Sequence, residues 1–465
     1  MDKITKKIYS SLPAPIQNLG ISYYGYQWKK RRFGGIFEGE LKGFKERENY
    51  TKQQWSDYQT IALRKLLVHA FTQVPFYNKK YAALGFRQTD FEKFELEDLK
   101  KLPYLEKDEL RKFGKSELLS QKLEQGGQFF ASSGSTGTPT SILFSLPFHQ
   151  RWSAAFEARI RHWAGIDRFE PRGMIGGRRI LQDAKAKPPF YRYNIFEKQT
   201  YFSAYHISES TAANYLKGIE KNKVSYMTGY AMSNYFLANM FDKLSLSVPP
   251  LKAVITSSEK LTPEMRAVLE KVYQCKTFDS YSGVEACGLI SETIAGELLV
   301  SPDVGILEVL DTNGNDTLSG QRGEVISTGL LNFDQPLIRY RIGDVVELAE
   351  NQVTKSGIEM PIIKQIGGRV EDKIVGKDGR EMVRFHGLYI NVPHLITAQI
   401  IQESYDDFVF NLVVEPGFSK EQETIIHKRL QSQLGEVNTT FNRLTEIPKN
   451  KNGKFQAVIS KIPKS

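Results

Sequence analysis

The sequence predicts an α/β protein in which a large N-terminal region precedes a small α+β region. Three observations support this prediction. Helical stretches alternate with short apolar runs between residues 209 and 281, which is typical of βαβ units in a parallel sheet. From about 320 to 366, short runs indicate antiparallel or barrel-like strands, and the pattern changes again after Gly367-Gly368-Arg369. At 465 residues, the chain is also too long for one ordinary domain.

The first hundred residues have a helical pattern. Their apolar side chains recur at helix-like spacing at Ile61, Leu63, Leu66, Leu67, Ala70 and Phe71. Pro75 marks the end of that stretch. From about Gln128 the segment FFASSGSTGTPTSILF places small polar residues between two apolar runs, which predicts a strand, an exposed loop and a second strand.

Three apolar runs predict parallel strands: VSYM near 224–227, LKAVITSS near 251–258 and KTFDSY near 276–281. Thr262-Pro263-Glu264 has the residues that open a helix, with Thr as cap and Pro in the first turn. Parallel sheets bind ligands beyond the carboxyl ends of their strands. The residues expected at that edge are Ser257, Ser258, Glu259, Tyr281 and Glu285.

The last part of the chain predicts a compact unit of its own. The runs GEVIST, PLIRYRI, DVVEL and PIIKQI are short candidate strands that precede it. A hairpin around Gly376 to Arg380, an amphipathic run near 394–403, the strand FNLVVE and a helix from about Lys420 follow. We therefore expect one domain over residues 1–368 and a second over 369–465, with a hinge near 369–372.

The composition of the chain excludes several classes of protein. The chain is 40% hydrophobic and 25% charged, which excludes a disordered or collagen-like chain. The two cysteines, Cys275 and Cys287, favour a reducing cytoplasm, and no apolar run is long enough to span a bilayer, so we expect a cytoplasmic location. The net charge is +10, but the basic residues are spread along the chain, so no nucleic-acid partner is expected.

The densest basic cluster is Lys29-Lys30-Arg31-Arg32, which follows several aromatic residues. Two interpretations stay open for it: a solvated surface, or contact of this basic N-terminus with anionic membrane lipid or a phosphorylated partner.

The loop from Ser132 to Thr140 (SSGSTGTPT) is the first candidate for chemistry. Its glycines and hydroxyl groups could surround phosphate oxygens, although such a loop can equally be a surface linker. It is not a P-loop, because the Lys of GxxxxGK[ST] is missing. It also lacks the GxSxG nucleophile elbow, and the seven histidines show no metal-ligand spacing.

Five segments occur in a characteristic order: SSGSTGTPT, YSGVE (281–285), RYRIGD (339–344), GRVED (368–372) and PKNKNGK (448–454). In this order the chain resembles the adenylate-forming superfamily of acyl-CoA synthetases, luciferases and peptide-synthetase adenylation domains. LPAPIQN, VPFYNKKY and SSGSTGTPTS resemble its phenylacetate-CoA ligase and CapK group more narrowly. The resemblance covers essentially the whole chain.

The resemblance implies an N-terminal domain that binds ATP and a carboxylic acid, and a mobile C-terminal lid. Tyr281 would stack on adenine, Asp344 would bind the ribose hydroxyls and Glu285 would help to hold Mg²⁺. Arg369 would contact the phosphates, Glu371 stands at the hinge, and Lys454 would act in the first half-reaction. The remaining ATP-binding residues would be Ser132, Ser133, Gly134, Ser135, Thr136, Gly137, Thr138, Ser258, Glu259 and Ser282.

The expected function is that of an AMP-forming ligase that uses ATP and Mg²⁺ to activate a small carboxylic acid, then transfers the acyl group to a thiol such as CoA, in surface polysaccharide metabolism. Transfer to an amine or hydroxyl of a sugar or glycan precursor is one alternative, and a basic scaffold protein without turnover is another. Thr140 departs from the superfamily, because many members have a Lys at this position. A role of His206 near the acyl pocket, and of residues 178–205 in its wall, is a further expectation.

Overall fold

The computed structural model describes residues 9, 12–131, 139–177, 180–181, 186–259, 261–367, 374–378, 381–382, 385–389, 392–445, 447 and 458–462. It confirms the predicted α/β class, with a large mixed sheet flanked by helices and a smaller α+β unit near the C-terminus.

The first part of the chain is helical, as predicted. Helix Lys52–Gln73 begins at Thr51, whose hydroxyl accepts a hydrogen bond from the Gln54 amide at 3.3 Å. It buries Leu63, Leu66, Leu67 and Ala70 of the predicted stripe, whereas Phe71 is partly buried and Ile61 is exposed. The helix ends just before Pro75, as predicted, and Pro75 is the first residue of the next helix. The helical segments before the first strand are Ala14–Phe33, Phe37–Arg47, Lys52–Gln73, Pro75–Ala82, Gln88–Phe91, the 3₁₀ turn Glu97–Lys101 and Lys107–Phe113.

A small hairpin follows. Strand β1 (Gln128–Ala131) pairs antiparallel with β2 (Ser141–Phe144), with Ala131 opposite Ser141. This agrees with the two predicted strands. The loop predicted between them lies, at residues 132–138, outside the described residues and stays a prediction.

Twelve strands of the described chain form one mixed sheet in the order β11-β12-β13-β14-β10-β9-β8-β7-β6-β3-β5-β4. Strands β5, β3, β6, β7 and β8 are parallel, and antiparallel strands continue the sheet from β9 onward. The strands are β3 (Arg172–Gly176), β4 (Tyr191–Asn194), β5 (Gln199–Ser203), β6 (Tyr226–Tyr230), β7 (Ala253–Ser257), β8 (Lys276–Tyr281), β9 (Ile290–Glu292), β10 (Leu298–Val300), β11 (Gly305–Leu310), β12 (Arg322–Gly329), β13 (Tyr340–Leu348) and β14 (Ile362–Gly367).

Helices pack on this sheet, because packing removes the apolar faces of both from water. Helix Pro263–Tyr273 begins at Thr262 as predicted, with the Thr262 hydroxyl accepting from the Met265 amide at 3.3 Å. Helix Leu146–Phe156 runs directly into a π-helical turn, Glu157–Arg161, whose five residues are all buried. The other helices between the strands are Ala212–Lys221 and Ala231–Lys243.

A buried group of charged residues fixes the helices against the sheet. We call Arg47, Glu48, Arg159 and Asp303 the ionic cluster. The Asp303 carboxylate accepts from the Arg47 guanidinium at 2.9 Å and from Arg159 at 3.1 Å, and Arg159 also donates to Glu48 at 2.5 Å. Asp303 and Arg159 are fully buried. Each buried charge thus has an opposite charge beside it, as burial requires.

Near the C-terminus the described strands are β15 (Ile374–Val375), β16 (Glu381–Met382), β17 (Leu395–Gln402), β18 (Asp407–Val414), β19 (Asn438–Arg443) and β20 (Val458–Ser460), and the helices are His386–Tyr389 and Lys420–Leu434. Strands β19-β18-β17-β20 form a separate sheet, and a hydrophobic cluster of residues between 374 and 458 packs on it. The predicted boundary between residues 368 and 369 lies outside the described residues and stays a prediction. None of the helices in the described part combines the length and apolar character needed to cross a bilayer.

Candidate active site

The parallel strands end together at one edge of the sheet. Tyr230, the last residue of β6, pairs with Ser257, the last residue of β7, and Ser257 pairs with Ser280 in β8. Ser258 follows β7 in the left-handed region with φ of 69°, and its side chain is exposed. The partly buried Glu259 comes next. The structure therefore places the predicted residues Ser258 and Glu259 beside the end of β8, where ligands of parallel sheets bind.

Tyr281 and Asp344, which are 63 residues apart, meet at this edge. The Tyr281 hydroxyl donates a hydrogen bond to Asp344 Oδ2 at 2.8 Å. Burial, and then the negative charge of Asp344, raise the pKa of Tyr281 well above its ordinary value, so the phenol stays protonated. The two residues predicted to bind adenine and ribose are thus adjacent.

A bulge in β13 explains how Asp344 reaches the edge. Glu324 pairs with Val345 and Ile326 with Arg341, so three residues of β13 lie opposite the single Val325. Gly343 occupies the bulge with φ of 81°, a conformation that favours glycine. The extra residues interrupt the ladder and turn the Asp344 carboxylate toward Tyr281.

Glu285 is held by Thr140, the last residue of the loop 132–140, which we call the phosphate-loop candidate. The Thr140 hydroxyl donates to Glu285 Oε1 at 3.3 Å, and Thr140 is fully buried. A Cβ atom on Gly283 would lie 2.3 Å from Glu285 Oε2, so a larger residue there would displace the Glu285 carboxylate. Ser282 and Glu285 are both partly buried.

We use the name sheet-edge site for Thr140, Tyr281, Glu285 and Asp344. Carboxylate oxygens suit Mg²⁺, which typically takes one or two carboxylates from the protein and fills its remaining positions with water and substrate phosphates. Within the described residues, Glu285 fits this role because its carboxylate is partly buried and lies beside a hydroxyl group.

The base of the phosphate-loop candidate is fixed by two amide side chains that the sequence interpretation missed. Gln335 accepts from the Leu143 amide at 2.7 Å and donates to the Ser141 carbonyl at 3.1 Å, while Asn332 donates to the Leu143 carbonyl at 3.1 Å. Both side chains are buried. They satisfy the outer edge of β2 and so set the position of the two strands that flank residues 132–138 in the chain. The sequence signal for Asn332 and Gln335 was weak, because the segment NFDQP (332–336) has the composition of an ordinary polar turn.

Thr140 is a third residue whose structural role the sequence did not indicate. It was interpreted as a position that had lost a cation. In the structure it is a buried hydroxyl that contacts the candidate metal-binding carboxylate.

Asp279 is an unexpected titratable group two residues before Tyr281. Burial, and then the nearby Glu292 carboxylate, raise its pKa to about 7, although the Ser280 amide and the Thr256 hydroxyl both donate to it. A carboxyl group on a buried strand next to a second carboxylate favours the neutral form.

Other members of the predicted motifs have structural roles. Arg339 of RYRIGD is buried, pairs with Glu308 at 2.7 Å and donates to the Leu102 carbonyl at 2.6 Å. Burial raises the pKa of Cys287 to about 12, so this thiol is protonated at neutral pH and is a poor nucleophile.

His206 lies three residues beyond the end of β5, on the same edge of the sheet as Tyr230. Its Nδ1 is 2.7 Å from the Ser203 hydroxyl, and its ring stacks on Phe190 with centroids 5.2 Å apart. Tyr205 donates to the Gly177 carbonyl at 3.4 Å. The location of His206 near the acyl pocket stays a prediction. The role of residues 178–205 as a wall of that pocket also stays a prediction.

Several predicted site residues lie outside the described residues. They are Ser132, Ser133, Gly134, Ser135, Thr136, Gly137, Thr138, Arg369, Glu371 and Lys454. Their roles stay predictions.

Comparisons with known proteins agree with this fold. A family model of the CapK C-terminal domain matches residues 375–461. Protein CapK of Staphylococcus aureus is 26% identical over 98% of this chain and 99% of its own length. The phenylacetate-coenzyme A ligase of Aromatoleum evansii is 24% identical over 83% of this chain and 89% of that protein.

Among solved structures, 2-hydroxyisobutyryl-CoA ligase in the postadenylation state, in complex with R3-HIB-AMP, aligns with a TM-score of 0.56 at 19% identity, covering 89% of this chain and 91% of that one. This likeness concerns the fold. The comparisons confirm that the chain resembles the adenylate-forming superfamily. Within that superfamily they confirm the narrower resemblance to the phenylacetate-CoA ligase and CapK group.

Proposed function

We propose that the chain is an ATP-dependent, AMP-forming carboxylate ligase. In the first step a carboxylate oxygen attacks the α-phosphorus of ATP, the bond to pyrophosphate breaks, and an acyl-adenylate forms. In the second step the thiol of CoA attacks the acyl carbon, its proton is lost and AMP leaves. The observation that carries the proposal is the meeting of Tyr281, Asp344 and Glu285 at the carboxyl edge of a parallel sheet.

Each described residue has a task that its chemistry suits. The Asp344 carboxylate has two acceptor oxygens for the two ribose hydroxyls, and the ring of Tyr281 offers a surface for adenine. Glu285 would hold Mg²⁺, which neutralises the charge of the phosphates when it is bound. Thr140 keeps the Glu285 carboxylate in place. The protein's contribution is therefore positioning and charge neutralisation, and no side-chain nucleophile takes part.

The C-terminal residues complete the proposal. Lys454 would contact the carboxylate and the α-phosphate during adenylation, Arg369 would contact the phosphates, and the segment around Glu371 would act as the hinge of a lid over residues 369–465. Rotation of this lid would bring Lys454 to the site for the first step and remove it for the second.

CoA is the proposed acceptor, and a role in surface polysaccharide metabolism is part of the proposal because of the likeness to protein CapK. Transfer to an amine or hydroxyl of a glycan precursor stays the alternative. Both share the adenylation step, so they are separated by trapping the activated acyl group with CoA or with amino sugars. Formation of an amide or ester without a thioester would show that the acceptor is the glycan precursor and not CoA.

The test is exchange of labelled pyrophosphate into ATP, screened over a panel of small aliphatic and aromatic carboxylic acids. We expect exchange with at least one acid, and a loss of about 100-fold for Glu285→Gln because the metal ligand loses its charge. Glu350→Gln makes the same change at an exposed glutamate and is the matched control. This variant should show the same exchange rate as the unaltered protein. A folded protein that binds ATP but shows no exchange with any acid would instead favour a scaffold without turnover.

A further inference from the structure

The N-terminal helix Ala14–Phe33 turns one stripe of its apolar side chains outward, while Trp28 and Phe33 pack inward. Among its described residues, those that are buried are Gln17, Ser22 and Gly25. Ile16, Leu19, Tyr23 and Tyr26 recur every three or four residues along one face and are exposed, with Leu19 at 71% and Tyr23 at 65%. A surface helix normally buries such a stripe and exposes its polar residues. This inversion needs an explanation, because large apolar surfaces left in water usually have a partner.

Specific contacts fix this orientation of the helix. On its inner face, the Tyr193 amide donates to Asn18 Oδ1 at 3.0 Å and the Ser22 hydroxyl donates to the Tyr193 carbonyl at 3.5 Å. Gly25 approaches Asn194 so closely that an added Cβ would lie 2.0 Å from its amide nitrogen. The polar inner face is therefore matched to strand β4, and the apolar face is left outward.

The turn between β4 and β5 extends the exposed apolar surface. Ile195 and Phe196 are 62% and 47% exposed, and the Phe196 ring lies 5.2 Å from that of Tyr26. Between the helix and this turn is an open groove of about 560 Å³. We call the surface formed by Leu19, Tyr23, Tyr26, Ile195 and Phe196 the aromatic patch.

The exposed charges that the described part of this helix places beside the aromatic patch are positive. Helix Ala14–Phe33 contains no Asp or Glu, and Lys29 and Lys30 follow the patch along the chain. Lys30 lies over the Tyr26 ring at 5.7 Å, and Lys29 donates to the Phe196 carbonyl at 3.2 Å. The one acid of the turn, Glu197, is buried and pairs with Arg172 at 3.1 Å and with Arg32.

From these observations we propose that the aromatic patch docks the protein onto the surface of an anionic lipid bilayer. Tyrosine and phenylalanine with aliphatic neighbours suit the boundary between headgroups and acyl chains, and adjacent lysines suit negatively charged headgroups. The charge pattern disfavours a second copy of this chain as the occupant, because a two-fold interface sets the same patch against itself and would bring lysines together.

The test is flotation of the full chain with vesicles of phosphatidylcholine alone and with vesicles of equal parts phosphatidylcholine and phosphatidylglycerol. We expect binding to the anionic vesicles and little binding to the neutral ones. The variant Leu19→Ser/Tyr23→Ser/Phe196→Ser should bind the anionic vesicles at least about tenfold more weakly, because it removes three side chains that would enter the interface. Lys30→Gln should weaken binding by a few fold, and added salt should weaken it further.

The control variant Ile61→Ser/Leu318→Ser/Val353→Ser also removes three exposed apolar side chains, at 66%, 68% and 72% exposure, from other parts of the surface. It should bind vesicles like the unaltered protein. The proposal is overturned if the unaltered protein binds neither kind of vesicle, or if the patch variant and the control lose binding equally. Sedimentation that shows a dimer abolished by the patch variant, without vesicle binding, would identify a second copy as the occupant.

Discussion

Two regions of the molecule use carboxylates in opposite ways. In the ionic cluster, Asp303 accepts hydrogen bonds from two guanidinium groups and is fully buried. At the sheet-edge site, Asp344 accepts from a phenol and Glu285 from a threonine hydroxyl, and both are partly accessible. A carboxylate neutralised by arginine stabilises the fold, whereas one oriented by hydroxyl groups keeps its charge available for a ligand. The partner, and not the carboxylate itself, distinguishes the two roles.

Removing the shared acceptor of the ionic cluster should have the largest effect on stability. Asp303→Asn removes the carboxylate that pairs with Arg47 and leaves the buried Arg159 with Glu48 alone, which we expect to lower the free energy of unfolding by about 3–5 kcal/mol. Urea unfolding followed by circular dichroism measures this change. Asp316→Asn, which removes an exposed carboxylate paired with Lys100, should cost less than about 1 kcal/mol. A comparable loss in both variants would remove the contrast between buried and surface pairs.

Gln335 links the fold to the site, and its replacement should affect both. Gln335→Met keeps the volume but leaves the Leu143 amide and the Ser141 carbonyl without their partner, so we expect a loss of about 2–3 kcal/mol in unfolding free energy. Affinity for ATP should also fall, because the hairpin carrying residues 132–138 loses its support. Gln352→Met, in a loop that packs on β14, is the control that should lose some stability without losing ATP affinity. Unchanged ATP binding in Gln335→Met would show that the hairpin is positioned in another way.

Asp279 combines features of both regions, since it is buried but lies beside hydroxyl and amide donors. Its pKa of about 7 exceeds the value of 3.8 in the unfolded chain, so the folded protein binds the additional proton between these limits. The stabilisation is complete below pH 4 and is lost as the pH rises through 7. Asp279→Asn should therefore be more stable than the unaltered protein at pH 8, by about 2 kcal/mol, and nearly equal to it at pH 4. Equal stability differences at both values would contradict a raised pKa.

The hydroxyl of Thr140 should have a smaller effect, and one confined to the site. Thr140→Val keeps the buried shape but removes the hydrogen bond to Glu285, so we expect pyrophosphate exchange to fall about tenfold and to need more Mg²⁺ for half its maximal rate. Thr72→Val, which removes a helix-surface hydroxyl, should leave exchange unchanged. An unaltered Mg²⁺ requirement in Thr140→Val would separate this residue from the metal site.

The contrast between the regions also explains what the sequence could predict. Parallel strands β6, β7 and β8 were predicted near their observed bounds because buried strands are continuous apolar runs between turn signals. The meeting of Tyr281 and Asp344 was expected from motif order, but the bulge at Gly343 that permits it depends on pairing with β12. The ionic cluster, Gln335 and the raised pKa of Asp279 were not predicted, because each depends on contacts between residues that are distant in sequence.

The predicted antiparallel strands after residue 320 show the same limit. PLIRYRI and DVVEL suggested two runs, whereas the residues Tyr340–Leu348 form one bulged strand and the preceding PLIR lies outside it. These strands also continue the parallel sheet through β9. Local composition indicates extended backbone, but it does not determine which neighbour a strand takes.

We expect the carboxylates at the sheet edge to serve a bound nucleotide. Calorimetric titration of ATP with Mg²⁺ into the unaltered protein, Asp344→Asn and Asp303→Asn tests this expectation most directly, at a temperature where all three remain folded. We expect Asp344→Asn to weaken ATP binding by tenfold or more, which is about 1.4 kcal/mol, without changing the free energy of unfolding by a similar amount. Asp303→Asn should bind ATP normally despite its lower stability. ATP binding that is unchanged in Asp344→Asn but lost in Asp303→Asn would contradict the assignment of both regions.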